Sequence, residues 1–169
     1  MSPSADDSVK WRQHRVEDLG LAVDLLADAP ISQGVAGGIH YLIQKQGALG
    51  LGVWWGPGRD LDAWHGFYGP PRKASLGPTR TRTVCGVTAH GQSAEIEAGP
   101  DAVGLAPGDD GQLGHVQATQ PALVSHALAF EVDGTPVLLE WVVERSALDR
   151  WDETRAPFFA SVSCDKAGP

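Results

Sequence analysis

The sequence predicts an α+β fold, a mainly antiparallel twisted sheet with a short central helix and a C-terminal helix packed on it. Three observations carry this expectation. Two alternating apolar runs, 124–132 and 135–142, flank Asp133-Gly134, and such a pair suits a type I′ hairpin turn because both central residues need positive φ. The 21 glycines and 12 prolines in 169 residues favour many turns and short strands over long helices. Helical patterning is confined to 59–68 and 146–162, with hairpin-like strand pairs elsewhere, an order that belongs to an antiparallel sheet and not to a doubly wound parallel one.

The elements follow in chain order. Segments 9–16 (VKWRQHRV) and 20–26 (GLAVDLL) are expected as strands joined around Glu17-Asp18. Residues 27–38, with Pro30, Gly34 and Gly37-Gly38, are expected as a loop. Segments 39–44 and 49–55 form a second hairpin turning near Gln46-Gly47. A short amphipathic helix over 59–68 carries Leu61 and Trp64 on one face. Residues 69–79 are expected as a loop, 81–88 and 92–98 as strands turning at His90-Gly91, and 99–114 as a structureless, mobile segment.

In the late hairpin the turn sets the register. Val132 meets Thr135, Phe130 meets Val137, Leu128 meets Leu139 and His126 meets Trp141, all as cross-strand pairs. The opposite face, with Ala127, Ala129, Leu138 and Glu140, is half apolar and needs a cover, which the 146–162 segment is expected to supply. There Ser146 is the expected N-cap. Pro157 divides the segment into two short helices, because a proline inside a helix removes a hydrogen bond.

Composition narrows the class. With 42% hydrophobic and 20% charged residues, residues 9–169 suit one globular domain behind a polar, flexible leader over 1–8. A formal net charge of -8 argues against nucleic acid as the principal partner. No stretch has the length of a transmembrane helix. Residues 1–8 lack the basic and apolar regions of a signal peptide, so the chain is either cytoplasmic as written or carries a leader left after a signal was removed. Cys85 and Cys164 have no metal-ligand spacing. They are two buried thiols or a disulfide tying the C-terminal helix to the sheet, and the disulfide would place the protein in the periplasm or outside the cell.

The sequence offers little chemistry. His40, His65, His90 and His115 are evenly spaced, but their contexts do not repeat. No H-E-x-x-H, C-x-x-C or G-x-S-x-G is present. Asp60 and Asp62 suit a helix start, and Asp109-Asp110 suits a turn. No catalytic, metal or cofactor residue is expected. Two surface features stand out instead. Arg72, Lys73, Arg80 and Arg82 lie in a stretch without an acid, suited to an anionic partner. Trp54, Trp55 and Trp64 are candidate contacts, with the adjacent pair pointing to opposite faces of a strand.

The segments 19–25 (LGLAVDL), 133–139 (DGTPVLL) and 158–162 (FFASV) resemble the PsbP/Mog-like α/β/α sandwich superfamily. That resemblance implies an α/β/α sandwich over nearly the whole chain. It also implies binding or assembly work, since the superfamily is mostly non-catalytic: photosystem assembly subunits, a Ran-binding factor, envelope lipoproteins and secretion-effector chaperones. The leading expectation is therefore a non-enzymatic binding or assembly domain of the bacterial cell envelope, with another protein as partner. A cytoplasmic chaperone or adaptor for a secreted protein is the second. A small enzyme is the third, its site lying under 99–114 and drawing on His65, His90 or His115 with Asp109 or Asp110.

Overall fold

A computed structural model describes residues 9–68, 73–107 and 113–165, with backbone alone over 100–119. Residues 1–8, expected as a leader, and Arg72 lie outside the described residues. Five strands come first: β1 (Trp11–Val16), β2 (Leu21–Leu26), β3 (Ser32–Ala36), β4 (Ile39–Gln46) and β5 (Leu49–Trp55). Helix α1 (Leu61–Phe67) follows, then β6 (Ala74–Leu76), β7 (Arg80–Val84) and β8 (Val87–Ile96). Next come β9 (Gly99–Pro107), β10 (Leu113–Gln120), β11 (Leu123–Val132) and β12 (Thr135–Glu144). The chain closes with α2 (Leu148–Trp151), α3 (Arg155–Ala160) and β13 (Ser163–Cys164).

The longest regular hairpin forms where the sequence alternates most strictly. β11 and β12 pair antiparallel with Val132 opposite Thr135, Leu128 opposite Leu139 and His126 opposite Trp141. Asp133 and Gly134 turn between them at φ 49° and 82°, the left-handed geometry such a turn demands. This hairpin sits at the centre of the main sheet, whose order is β3-β4-β5-β12-β11-β8. The outer edge of β8 is shared, its first half pairing with β7 and its second with β6. A smaller sheet, β1-β2-β13, and the β9–β10 pair complete the strands.

Both faces of the main sheet are covered, by different elements. Leu128, Phe130, Leu139 and Trp141 join Leu21, Val23, Trp151 and Phe158 in the larger core, so the small sheet and α2–α3 close that side. Ala127, Ala129 and Leu138 lie on the other side with Trp64 and Leu61. The cover over this half-apolar face is thus α1 and not the C-terminal helices, which the larger apolar face claims because it has far more surface to bury. Helix α1 begins at Asp60, whose carboxylate accepts from the Ala63 amide at 3.0 Å.

Several expectations need correcting. Residues 32–36 form the edge strand β3 on β4; with Gly34 and two polar residues they lack an alternating pattern, and the ladder partner supplies what propensity does not. The β7–β8 turn falls at Cys85-Gly86, both at positive φ (54° and 77°), and not at His90-Gly91, which lies inside β8. Residues 99–114 are largely strand, in β9 and β10; their Gly and Pro content masked the alternation of Val103 and Leu105. Ser146 lies within a 3₁₀ turn that has no side-chain cap. Pro157 sits in the first turn of α3, where its missing N–H has no intrahelical partner to lose.

Two buried polar side chains tie layers together. Gln44, 1% exposed, accepts from the Leu26 amide at 2.7 Å and donates to the Leu26 and Ala29 carbonyls, so it finishes the end of β2 as a backbone neighbour would. Beneath α1, Glu140 accepts from Ser125 Oγ (2.6 Å), Tyr68 Oη (2.5 Å) and Trp64 Nε1 (3.0 Å). Burial pushes its carboxyl above the usual range, and the three donors only partly oppose that. Beside it, Gly52 leaves room for the Trp54 ring; a Cβ there would lie 2.1 Å from the indole.

Two tests follow from this packing. Glu140→Ala removes an acceptor shared by three donors and is expected to cost about 2–4 kcal/mol in urea unfolding. In the native protein the raised carboxyl holds its proton where the unfolded chain has lost it. Stability therefore falls as pH rises above about 4.3, the unfolded value. Glu140→Gln should flatten that decline, and an unchanged profile would remove Glu140 as its cause. Gly52→Ala should displace Trp54, cost about 1–3 kcal/mol and shift tryptophan emission to the red; an unaltered spectrum would show that the ring does not depend on Gly52.

Candidate functional site

The site lies on the larger-core side of the sheet, where β7 and β8 approach α3. Alternation along β7 puts Arg80, Arg82 and the buried Val84 on one face. Arg80 stands opposite Gly91, and Gly91 opposite Leu128. One pair along, Ser93 stands opposite His126, and His126 opposite Trp141. The small residues of β8 leave a depression that larger side chains would fill. Arg155, Ala156, Phe159 and Ala160 form the facing wall, because positions three and four apart share a side of a helix. The result is a groove of about 670 Å³ with Leu128 in its floor.

Its charge runs against that of the chain. Arg80, Arg82, Arg155 and His126 line the groove, and no Asp or Glu does so among the described residues. Arg82 donates to the Phe159 carbonyl at 2.6 Å, bridging the two walls. Partial burial lowers its guanidinium from the usual value, although arginine stays charged in any such setting. Arg155 pairs with Asp152, its neighbour on the helix, at 3.2 Å. His126 lies edge-on to Trp141 with ring centroids 5.7 Å apart. Burial above all, then the Arg155 charge, lowers the His126 pKa to about 4 against the pull of Asp152. The imidazole is therefore neutral at pH 7.

The candidate contacts divide sharply. Arg80 and Arg82 come together in the groove, whereas Lys73 is exposed ahead of β6. Trp55 is 8% exposed and stacks on His40 at 5.1 Å; Trp64 is buried in the Glu140 network. Only Trp54 is partly open, on the opposite face against Phe67 at 5.3 Å. The three tryptophans thus do not form one patch. Cys85 and Cys164 are joined as a disulfide with Cα atoms 5.5 Å apart. His65 meets the Gln92 amide at 2.7 Å, and His90 is exposed on β8. Asp109 and Asp110 lie outside the described residues. No three His, Cys, Asp or Glu side chains gather as a metal site among the described residues.

Sequence reasoning found half of the groove. The acid-free basic run signalled Arg80 and Arg82, but nothing local connects them to Arg155, His126 or Phe159. Those join only when α3 folds over the His126 face. Gly91 was legible as a turn former and serves instead as the strand position that opens the groove. What the arrangement offers is a set of cations above an apolar floor, suited to holding an anionic group that carries an apolar body.

No protein-family model matches the sequence, and no characterised protein matches it at the sequence level. Among solved structures, the fold is similar to the solution structure of cyanobacterial PsbP (CyanoP) from Synechocystis sp. PCC 6803. The two share 10% sequence identity over 97% of this chain and 98% of that one, with a TM-score of 0.59. The chain therefore has a PsbP-like α+β fold.

Proposed function

We propose that this chain is a non-enzymatic binding or assembly domain of the bacterial cell envelope, and that it engages its partner through the arginine-lined groove. One observation carries the reading: in a chain of net charge -8, the groove gathers three arginines and admits no acid among its described lining. A surface so far from the average composition is suited to a complementary partner, with the arginines steering its approach. The PsbP-like fold supports the reading only as an architecture that leaves its sheet edges and grooves free for contact. For the compartment, the support is the disulfide between Cys85 and Cys164, since such bonds persist where the surroundings are oxidising. The same bond weighs against a cytoplasmic chaperone or adaptor.

Affinity capture from an envelope fraction tests the contact surface. The native domain should retain a partner that the doubly reversed Arg80→Glu, Arg82→Glu variant loses, with both proteins unfolding at temperatures within a few degrees. Equal retention by a folded variant would eliminate the groove as the contact surface. For the compartment, thiol titration in denaturant should find no reactive thiol before reduction and two after it. Two thiols before reduction would overturn the envelope assignment. Cys164→Ala should lower stability by about 2–5 kcal/mol relative to the oxidised protein.

A further inference from the structure

We infer that the groove binds an extended acidic peptide segment of a partner protein, with alternate carboxylates on Arg80 and Arg82 and the residue between them turned to the Phe159 wall. This rests on the groove being the contact surface and adds what occupies it. Arg80 and Arg82 are two residues apart on one strand and share a face, so their side chains leave the sheet about 6.6 Å apart. Alternate side chains of an extended peptide repeat at the same spacing. An acidic residue at every second position therefore meets the arginines in register, each arginine with its own carboxylate, whereas the single head of a fatty acid has one carboxylate for both.

The partners in this match are suited to each other chemically. A guanidinium presents two parallel N–H groups to a carboxylate, and the pairing gains strength where water is partly excluded. Arg80 has no acidic partner among the ion pairs of the described residues, and Arg82 donates to a carbonyl, not to an acid. Between the acids, the intervening side chain points the opposite way, toward Phe159, Ala156 and Ala160 on α3. An apolar residue there removes water from both surfaces. A volume of about 670 Å³ accommodates a few residues and no folded element, within the range of roughly 300–1,000 Å³ common to ligand sites.

A fluorescein-labelled pentapeptide with glutamates at its second and fourth positions and a leucine between them tests the inference by fluorescence anisotropy. Binding should saturate and weaken with added salt. It should fall by about tenfold for Arg80→Glu and for Arg82→Glu, and similarly when both glutamates become glutamines. Gly91→Val provides a variant that keeps the charges. Its added Cβ meets the Ala127 carbonyl at 3.5 Å and Leu128 Cδ1 at 3.6 Å, ordinary contacts; with an unfolding temperature within a few degrees of the native protein's, the side chain fills the floor and should block the peptide. Saturable decanoate or phosphatidylglycerol-vesicle binding that needs both arginines, with no peptide binding, would overturn the peptide assignment and leave the groove as contact surface. Peptide binding indifferent to Arg80, Arg82 and Gly91 would overturn the inference outright. If partner capture also ignored the two arginines, the groove itself would fall.

Discussion

Positive φ at two consecutive residues, Asp133 and Gly134, sets the direction of every side chain on the two strands at the centre of the molecule. A side-chain period of two makes register an all-or-none matter: a slip by one residue sends a strand's whole apolar set to the wrong face. Here that would move Leu128 and Phe130 away from Phe158 and Trp151, and bring Ala127 and Ala129 into a space built for larger groups. Fully burying one such large side chain is worth about 1.5–3 kcal/mol, so a slipped hairpin loses several times the stability that any single contact supplies. The turn is short and its alternatives are poor. Everything packed on either face inherits its register from it.

The two faces solve the problem of cover in different ways. On the larger one, aliphatic and aromatic side chains from the small sheet and α2–α3 exclude water, and Gln44 enters to complete the backbone of β2. Trp141 Nε1 is likewise satisfied by Thr154 Oγ1 at 2.9 Å. On the smaller face, the cover is a seven-residue helix, too short to be stable alone. Its anchor is Trp64, 1% exposed, whose indole N–H would be orphaned there without an acceptor. Glu140 supplies that acceptor at the expense of its own charge state. Burial favours the neutral acid, so the same residue that fixes α1 also makes its stability sensitive to pH.

Much of this was legible where a local rule and the tertiary structure agree. Asp133-Gly134 fixed a register that holds along the whole hairpin, and Leu49–Trp55 alternates strongly enough to bound β5. Legibility ended where a distant partner decides. β3 is a strand because β4 lies beside it, and Cys85 takes a positive φ at a tight turn that no glycine-based rule assigns to cysteine. The groove shows the same division. Arg80 and Arg82 are visible as a basic run, but nothing in the local sequence joins Arg155 to them. His126 was correctly placed against Trp141, and its position in the groove depends on α3.

The groove exists because three constraints meet there. β8 is longer than either strand on its outer edge, so β6 and β7 divide it and the chain leaves the sheet between Leu76 and Arg80. Gly91 and Ser93 keep the exposed part of β8 shallow. Helix α3, started by Arg155 and Ala156 ahead of Pro157, lies across the opening and cannot close it, since its facing positions are alanines and Phe159. Two links then join the segments that carry the walls. Arg82 reaches from β7 to the Phe159 carbonyl, and Cys85, at the far end of β7, is bonded to Cys164, which follows α3. The first link is polar; the second is covalent and closes a 79-residue separation. The disulfide lies outside the groove lining and ties the turn after β7 to the segment after α3. A ligand that bridges the same walls then meets Arg82 already held in place, and less of its binding free energy goes into ordering that side chain.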